Sequence, residues 1–166
     1  MDESHTLEAR RPHHDPCRVV CVGDAFVGGG GASVVPERLC RVEDPERAWK
    51  FWHMGEADCT AERLKTESVW RVFDRDAGRI LVSLGGAELL RGAGDPSAIA
   101  SSCLSCLELL ASKGPREIVL LLPSPSLWPS GLRPAVQFLR QSLLEASRGR
   151  WRRGRHELCA GPLRGG

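Results

Sequence analysis

Cys17-Arg-Val-Val-Cys21-Val-Gly-Asp-Ala25-Phe-Val-Gly-Gly29 is the stretch on which the fold turns. Arg18 to Val22 is apolar and β-branched enough for a buried strand, and Gly23 with Gly28 to Gly31 can take backbone conformations that other residues avoid. A strand ending in a Gly-rich turn presents a functional group at the carboxyl edge of a parallel sheet. The residue at the apex of this turn is Ala25, whose methyl group cannot attack a carbonyl and which no base can activate.

Outward from this run the chain alternates between strand and helix patterns. Pro36 to Glu46 reads as a charged loop, and Ala48-Trp-Lys-Phe-Trp-His-Met54 as a second strand. Asp58 or Thr60 can cap a helix in which Ala61, Leu64, Ser68 and Val69 recur at near-helical spacing through about Phe73. Arg79 to Leu84 is a third apolar run, ended by Gly85-Gly86. Asp95-Pro96-Ser97 opens a helix whose apolar stripe is Ile99, Cys103, Cys106, Leu107 and Leu110, stopped by Lys113-Gly114-Pro115. Glu117 to Leu122 is a fourth strand, and a last helix from about Leu132 to Ala146 buries Val136, Leu139, Leu143 and Leu144. This order predicts an α/β fold, three layers α/β/α around a short, mostly parallel sheet of about four strands.

Residues 1–16, with Pro12, Pro16 and three histidines, read as a disordered leader, 17–146 as the domain, and 147–166 as a basic flexible tail. The short tail leaves little room for another strand, so the sheet is expected to be truncated at its C-terminal side, with an open edge.

A chain of 166 residues suits one domain, since single domains run to roughly 100–200 residues. The net charge is only +2, yet Arg148, Arg150, Arg152, Arg153 and Arg155 cluster with no acid between them. Together with Trp151, that cluster is a candidate nucleic-acid contact, weighed against a solvated tail. The seven cysteines are odd in number and nothing resembles a secretory signal, so reduced thiols in cytoplasm or nucleus are expected, not secretion. Apolar runs such as Ile118 to Leu122 fall far short of the about 18–20 residues that span a bilayer, so no membrane partner is expected. No cofactor or metal is expected either. His13 and His14 lie in the polar leader, and Cys103-x-x-Cys106 has no second pair and falls on an apolar helix face, as core thiols do. Of the tryptophans, at least two among Trp49, Trp52 and Trp70 belong to the core, while Trp128, between prolines, is the candidate exposed contact.

Four blocks in order resemble the SGNH (GDSL-type) hydrolase superfamily over about residues 17–146. Gly23-Asp24-Ala25 with Gly29 stands where that family has Gly-Asp-Ser and a Gly four residues on. His53-Met54-Gly55 followed by Cys59-Thr60-Ala61 is similar to its second block, and Gly85-Gly86-Ala87-Glu88 to its Gly-x-Asn-Asp. Arg153-Gly154-Arg155-His156 has the spacing of Asp-Gly-x-His, with Arg at the Asp position. The resemblance implies a three-layer esterase fold with Ala25 in the nucleophile's place, Gly55 as a retained oxyanion amide, Ala87 replacing the oxyanion Asn, and His156 as a remnant base. The pocket it implies is formed by Asp24, Ala25, Gly55, Gly86, Ala87 and Glu88. The Cys- and Arg-containing style and the Val136 to Leu144 helix are further similar to esterase-like domains of vertebrate retroelement gag-like or first-frame proteins.

The expectation is therefore a catalytically inactive hydrolase-like domain acting as a binding or interaction module, with a protein or nucleic-acid partner. Two alternatives stand beside it: an acyl hydrolase rewired around Asp24, Glu88 or His156, and a nucleic-acid binder working through the tail. Gly23-Asp-Ala-Phe-Val-Gly28 also has the glycine spacing of a phosphate-binding loop, but Gly29-Gly30 stands where Lys and Ser/Thr are needed.

Overall fold

A computed structural model describes residues 15–24, 35–92, 94–112, 117–122, 124–150 and 157–158. In chain order the elements are β1 (Asp15–Gly23), α1 (Val35–Glu43), β2 (Lys50–His53) and α2, which runs from Ala61–Arg63 through a π-helical turn, Leu64–Ser68, into Val69–Phe73. β3 (Ala77–Ser83), α3 (Gly86–Arg91), α4 (Pro96–Ala111), β4 (Glu117–Leu120), α5 (Arg133–Arg150) and β5 (Glu157–Leu158) follow. The five strands form one parallel sheet in the order β2-β1-β3-β4-β5.

That order explains the layers. Parallel connections are right-handed, so the step from β1 out to β2 and the steps back across β3, β4 and β5 put their helices on opposite faces. On one face α2, α4 and α5 cover Val20, Val22, Ile80, Val82, Ile118 and Leu120, together with Leu64, Leu107, Leu110, Leu139 and Leu143. On the other face Val19, Cys21 and Leu81 pack with Trp49, Phe51 and Cys40 of α1. Alternation along β2 sends Phe51 to one side and Trp52 to the other.

The helix signals act as expected. Thr60 caps α2 by accepting the Arg63 N–H at 3.1 Å. Asp95 caps α4 by accepting from Ser97 and Ala98, with Pro96 in the first turn, and Ile99, Cys103, Cys106, Leu107 and Leu110 are all buried.

Three expectations are corrected. Pro36 to Glu46 is not a loop, because Val35–Glu43 forms α1. Its Glu37–Arg41 ion pair at 2.8 Å supports the helix, and Leu39 and Val42 stay exposed, which is why no apolar period showed. The last helix continues past Ala146 to Arg150, with Ser147 Oγ donating to the Leu144 carbonyl. The sheet does not stop at β4: Glu157 and Leu158 pair in register with Glu117 and Ile118, a segment too short to carry a periodicity.

Four thiols lie inside this framework. Burial pushes Cys21 up to about 12, aided by Cys40, and Cys106 up to about 12, aided by Cys59. Burial likewise raises Cys59 to about 11 and holds Cys103 well above the ordinary value. An unfolded thiol ionises near 9.0 while these remain neutral, so their contribution to stability is complete below that value and is lost as pH rises toward 11 or 12. The urea midpoint is therefore expected to fall steadily above about pH 9. At about pH 8, iodoacetamide should leave Cys21, Cys59, Cys103 and Cys106 unmodified until denaturant is added, as peptide mass mapping would show.

Candidate functional site

The chain leaves β1 toward one edge of the sheet and returns to β3 on the other side of β1, so the carboxyl ends of β1 and β3 flank the crevice where such sheets bind ligands. At that crevice Asp24 joins the two strand ends. Its carboxylate, 1% exposed, accepts the Ser83 hydroxyl at 2.7 Å and the Gly86 N–H at 3.0 Å, while the Asp24 N–H donates to the Ser83 carbonyl at 3.0 Å.

Two glycines make this approach feasible. Gly23 sits opposite Ser83 in the ladder with φ +128°, and a Cβ there would collide with the Ser83 carbonyl. A Cβ on Gly86 would stand 2.7 Å from Asp24 Oδ2 and 3.5 Å from the Trp128 ring. Trp128, expected to be exposed, is 5% exposed: its ring covers Gly86, and Arg133 Nε donates to its carbonyl at 3.0 Å. The turn between Pro125 and Pro129 folds the indole inward, where it finds a glycine-sized recess.

Glu88 is held from a different element than Asp24. Its Oε1 accepts the Ala61 N–H at 2.7 Å, anchoring the start of α2 to α3, and its Oε2 is buried with no hydrogen-bond partner among the described residues. The residues beside these carboxylates, Gly86 and Ala87, are also buried. Gly55 lies apart. On either side of it the Met54 and Glu56 amides donate to Cys21 and Gly23 carbonyls at 2.8 and 2.9 Å, extending the pairing of β2 with β1. Gly55 itself lines a groove of about 580 Å³ between β2 and α2, with His53, Met54, Glu56, Trp70 and Arg75. Beside it the Glu37 carboxyl is held below its ordinary range, first by the hydrogen bond from His53 and then by Arg41.

Ala25, His156, Trp151, Arg152, Arg153 and Arg155 lie outside the described residues. Arg148 is exposed near the end of α5, and Arg150 is that helix's last residue. Sequence reasoning passed over Ser83 and misplaced Trp128. The available signal for Ser83 was its position two residues before Gly85-Gly86, at the end of an apolar run, where a hydroxyl among β-branched residues needs a partner.

No protein-family model matches the chain, and no curated protein matches it. Solved structures do. An α/β hydrolase enzyme, LAE5, from the metagenome of Lake Arreo superposes with a TM-score of 0.64 at 16% identity, over 79% of this chain and 72% of that one. A member of the lipolytic protein G-D-S-L family from Veillonella parvula gives 0.61 at 19% identity, over 79% and 72%. The acetylxylan esterase Axe2 of Geobacillus stearothermophilus gives 0.62 at 14% identity, over 79% and 71%. The chain has the SGNH-hydrolase fold. Within the SGNH fold, Asp24 and Glu88 occupy the ends of the first and third strand-to-helix connections, and both carboxylates accept backbone amides.

Asp24→Ala would leave the Gly86 N–H and the Ser83 hydroxyl buried without their acceptor, at about 1–3 kcal/mol for each group. A loss of about 3 kcal/mol in urea unfolding is expected, against about 1 kcal/mol for Ser83→Ala. Equal and small losses in both variants would show that Asp24 does not hold the two connections together.

Proposed function

We propose that this chain is an SGNH-type pseudo-hydrolase, a domain that keeps the hydrolase architecture without acyl-transfer chemistry and acts as a binding or interaction module. The observation that carries this reading is the state of its two site carboxylates. Asp24 and Glu88 are both buried and each accepts a backbone amide, which supports a structural part for them over standing in for a missing serine or its base.

Acyl transfer needs an activated hydroxyl, a base oriented by a third group, and donors arranged for the oxyanion. In this reading Ala25 removes the hydroxyl, Ala87 one oxyanion donor, and Arg153 the group that would orient His156. Gly55 keeps a backbone amide. Loss of a single oxyanion donor lowers the rate by roughly 10²–10³ in a comparable hydrolase, and loss of the nucleophile removes the covalent route.

The reading includes a cytoplasmic or nuclear setting and a retroelement origin. The first is supported by four thiols kept reduced within the core, the second by the resemblance of the Val136 to Leu144 helix.

The purified chain is expected to hydrolyse p-nitrophenyl acetate no faster than buffer. Ala25→Ser alone should leave that background unchanged, because Ala87 and Arg153 still fail. Saturable turnover that disappears on Glu88→Gln or His156→Ala would overturn the proposal.

A further inference from the structure

The groove between β2 and α2 takes His53, Met54 and Gly55 from the second esterase block, but its other wall, from Ser68 to Arg75, belongs neither to the esterase blocks nor to the basic tail. Arg41, Arg47, Arg63, Arg79 and Arg91 each hold a carboxylate within 3.4 Å. Arg18, Arg71 and Arg75 hold none among the described residues. Instead they gather on tryptophan rings. The Arg18 and Arg75 guanidiniums lie 5.1 and 5.7 Å from the centre of Trp52, and Arg71 lies 5.4 Å from that of Trp70. Arg18 Nε also donates to the Arg75 carbonyl at 2.9 Å, which fixes the turn after α2 on β1.

These cations are therefore held in place on the rings, with no carboxylate paired to them among the described residues. Lys50, the register partner of Arg18, adds a further exposed charge at the same end of the sheet. Of the acids lining the groove, Glu56 pairs with Arg63 at 2.8 Å, which also holds Asp58 and Glu67, and Asp74 is the opposing charge. Between the cations stands Trp70, 54% exposed, a large aromatic surface with Arg71 over one face of its ring. The volume, about 580 Å³, is that of a small-ligand site.

From this combination we propose that the β2–α2 groove binds a nucleotide unit, its phosphate held by Arg71 and Arg75 and its base stacked on Trp70. Unpaired guanidiniums flanking an exposed ring are what a single strand requires, since phosphates meet the charges and each base offers a face to the indole. An acidic peptide would use the cations but would leave the indole without a regular partner. The site is independent of the pseudo-hydrolase reading, which is tested by ester turnover, so either can fail without the other.

The experiment uses the full chain and a fluorescein-labelled oligo(dT) and oligo(U), each of about ten nucleotides, within the usual span of single-strand sites. An abasic strand of equal charge serves as the control, and AMP as the free nucleotide. Binding that weakens steeply between about 50 and 200 mM salt is expected. Trp70→Ala should weaken it by about tenfold, since stacking on an aromatic ring commonly contributes that much per base. Arg71→Gln with Arg75→Gln should weaken it similarly and flatten the salt dependence. A chain carrying Arg148→Gln, Arg150→Gln, Arg152→Gln, Arg153→Gln and Arg155→Gln should retain binding in the groove. Competition by AMP would identify free nucleotides as a source of the ligand, and binding confined to the oligonucleotides would identify the single strand. The proposal is overturned by equal affinity for the abasic strand, by unchanged affinity in a Trp70→Ala chain of normal melting temperature, by complete loss in the tail variant, or by no binding at about 50 mM salt.

Discussion

The carboxylate of Asp24 is the constraint from which the upper edge of the sheet is organised. It takes the hydroxyl of Ser83 and the amide of Gly86 in a place from which water is excluded, so a single side chain ties the end of β1 to the start of α3. Buried charges persist only when hydrogen-bonded, and here the donors come from the neighbouring strand and the next helix. Everything close by is shaped to permit that contact: glycine at 23 against Ser83, glycine at 86 against Asp24, and the Trp128 ring laid over Gly86.

Glu88 repeats the arrangement one connection away by accepting the Ala61 amide and fixing α2. The two acids thus hold together the connections after β1, β2 and β3. Groups whose hydrogen bonds maintain the fold cannot be lost without leaving buried amides unpaired.

The faces of the sheet differ in the same economical way. Three helices, α2, α4 and α5, enclose one side in a continuous core, and among the described residues α1 alone covers the other. The cysteines distribute across both, and burial keeps them neutral. At the β2 edge guanidiniums join the apolar side chains in covering the aromatic rings.

The sequence by itself determined the elements whose signals are local. The apolar runs of β1, β3 and β4, the aromatic run of β2, the caps Thr60 and Asp95, and the stripe from Ile99 to Leu110 follow from spacing and composition, and the order of the elements carried the fold class. The blocks at Gly23-Asp24 and Gly85 to Glu88 were also readable as turns at the ends of strands. Only the tertiary structure decided what those residues do. α1 was hidden because just one side of it meets the sheet, β5 because two residues have no period, and Trp128 because its recess is made by a glycine far along the chain. Likewise, whether Asp24 and Glu88 face a pocket or hold amides depends on partners 59, 62 and 27 residues away. Local pattern reports which side chains are apolar or charged; which donor meets which acceptor is set when distant segments pack.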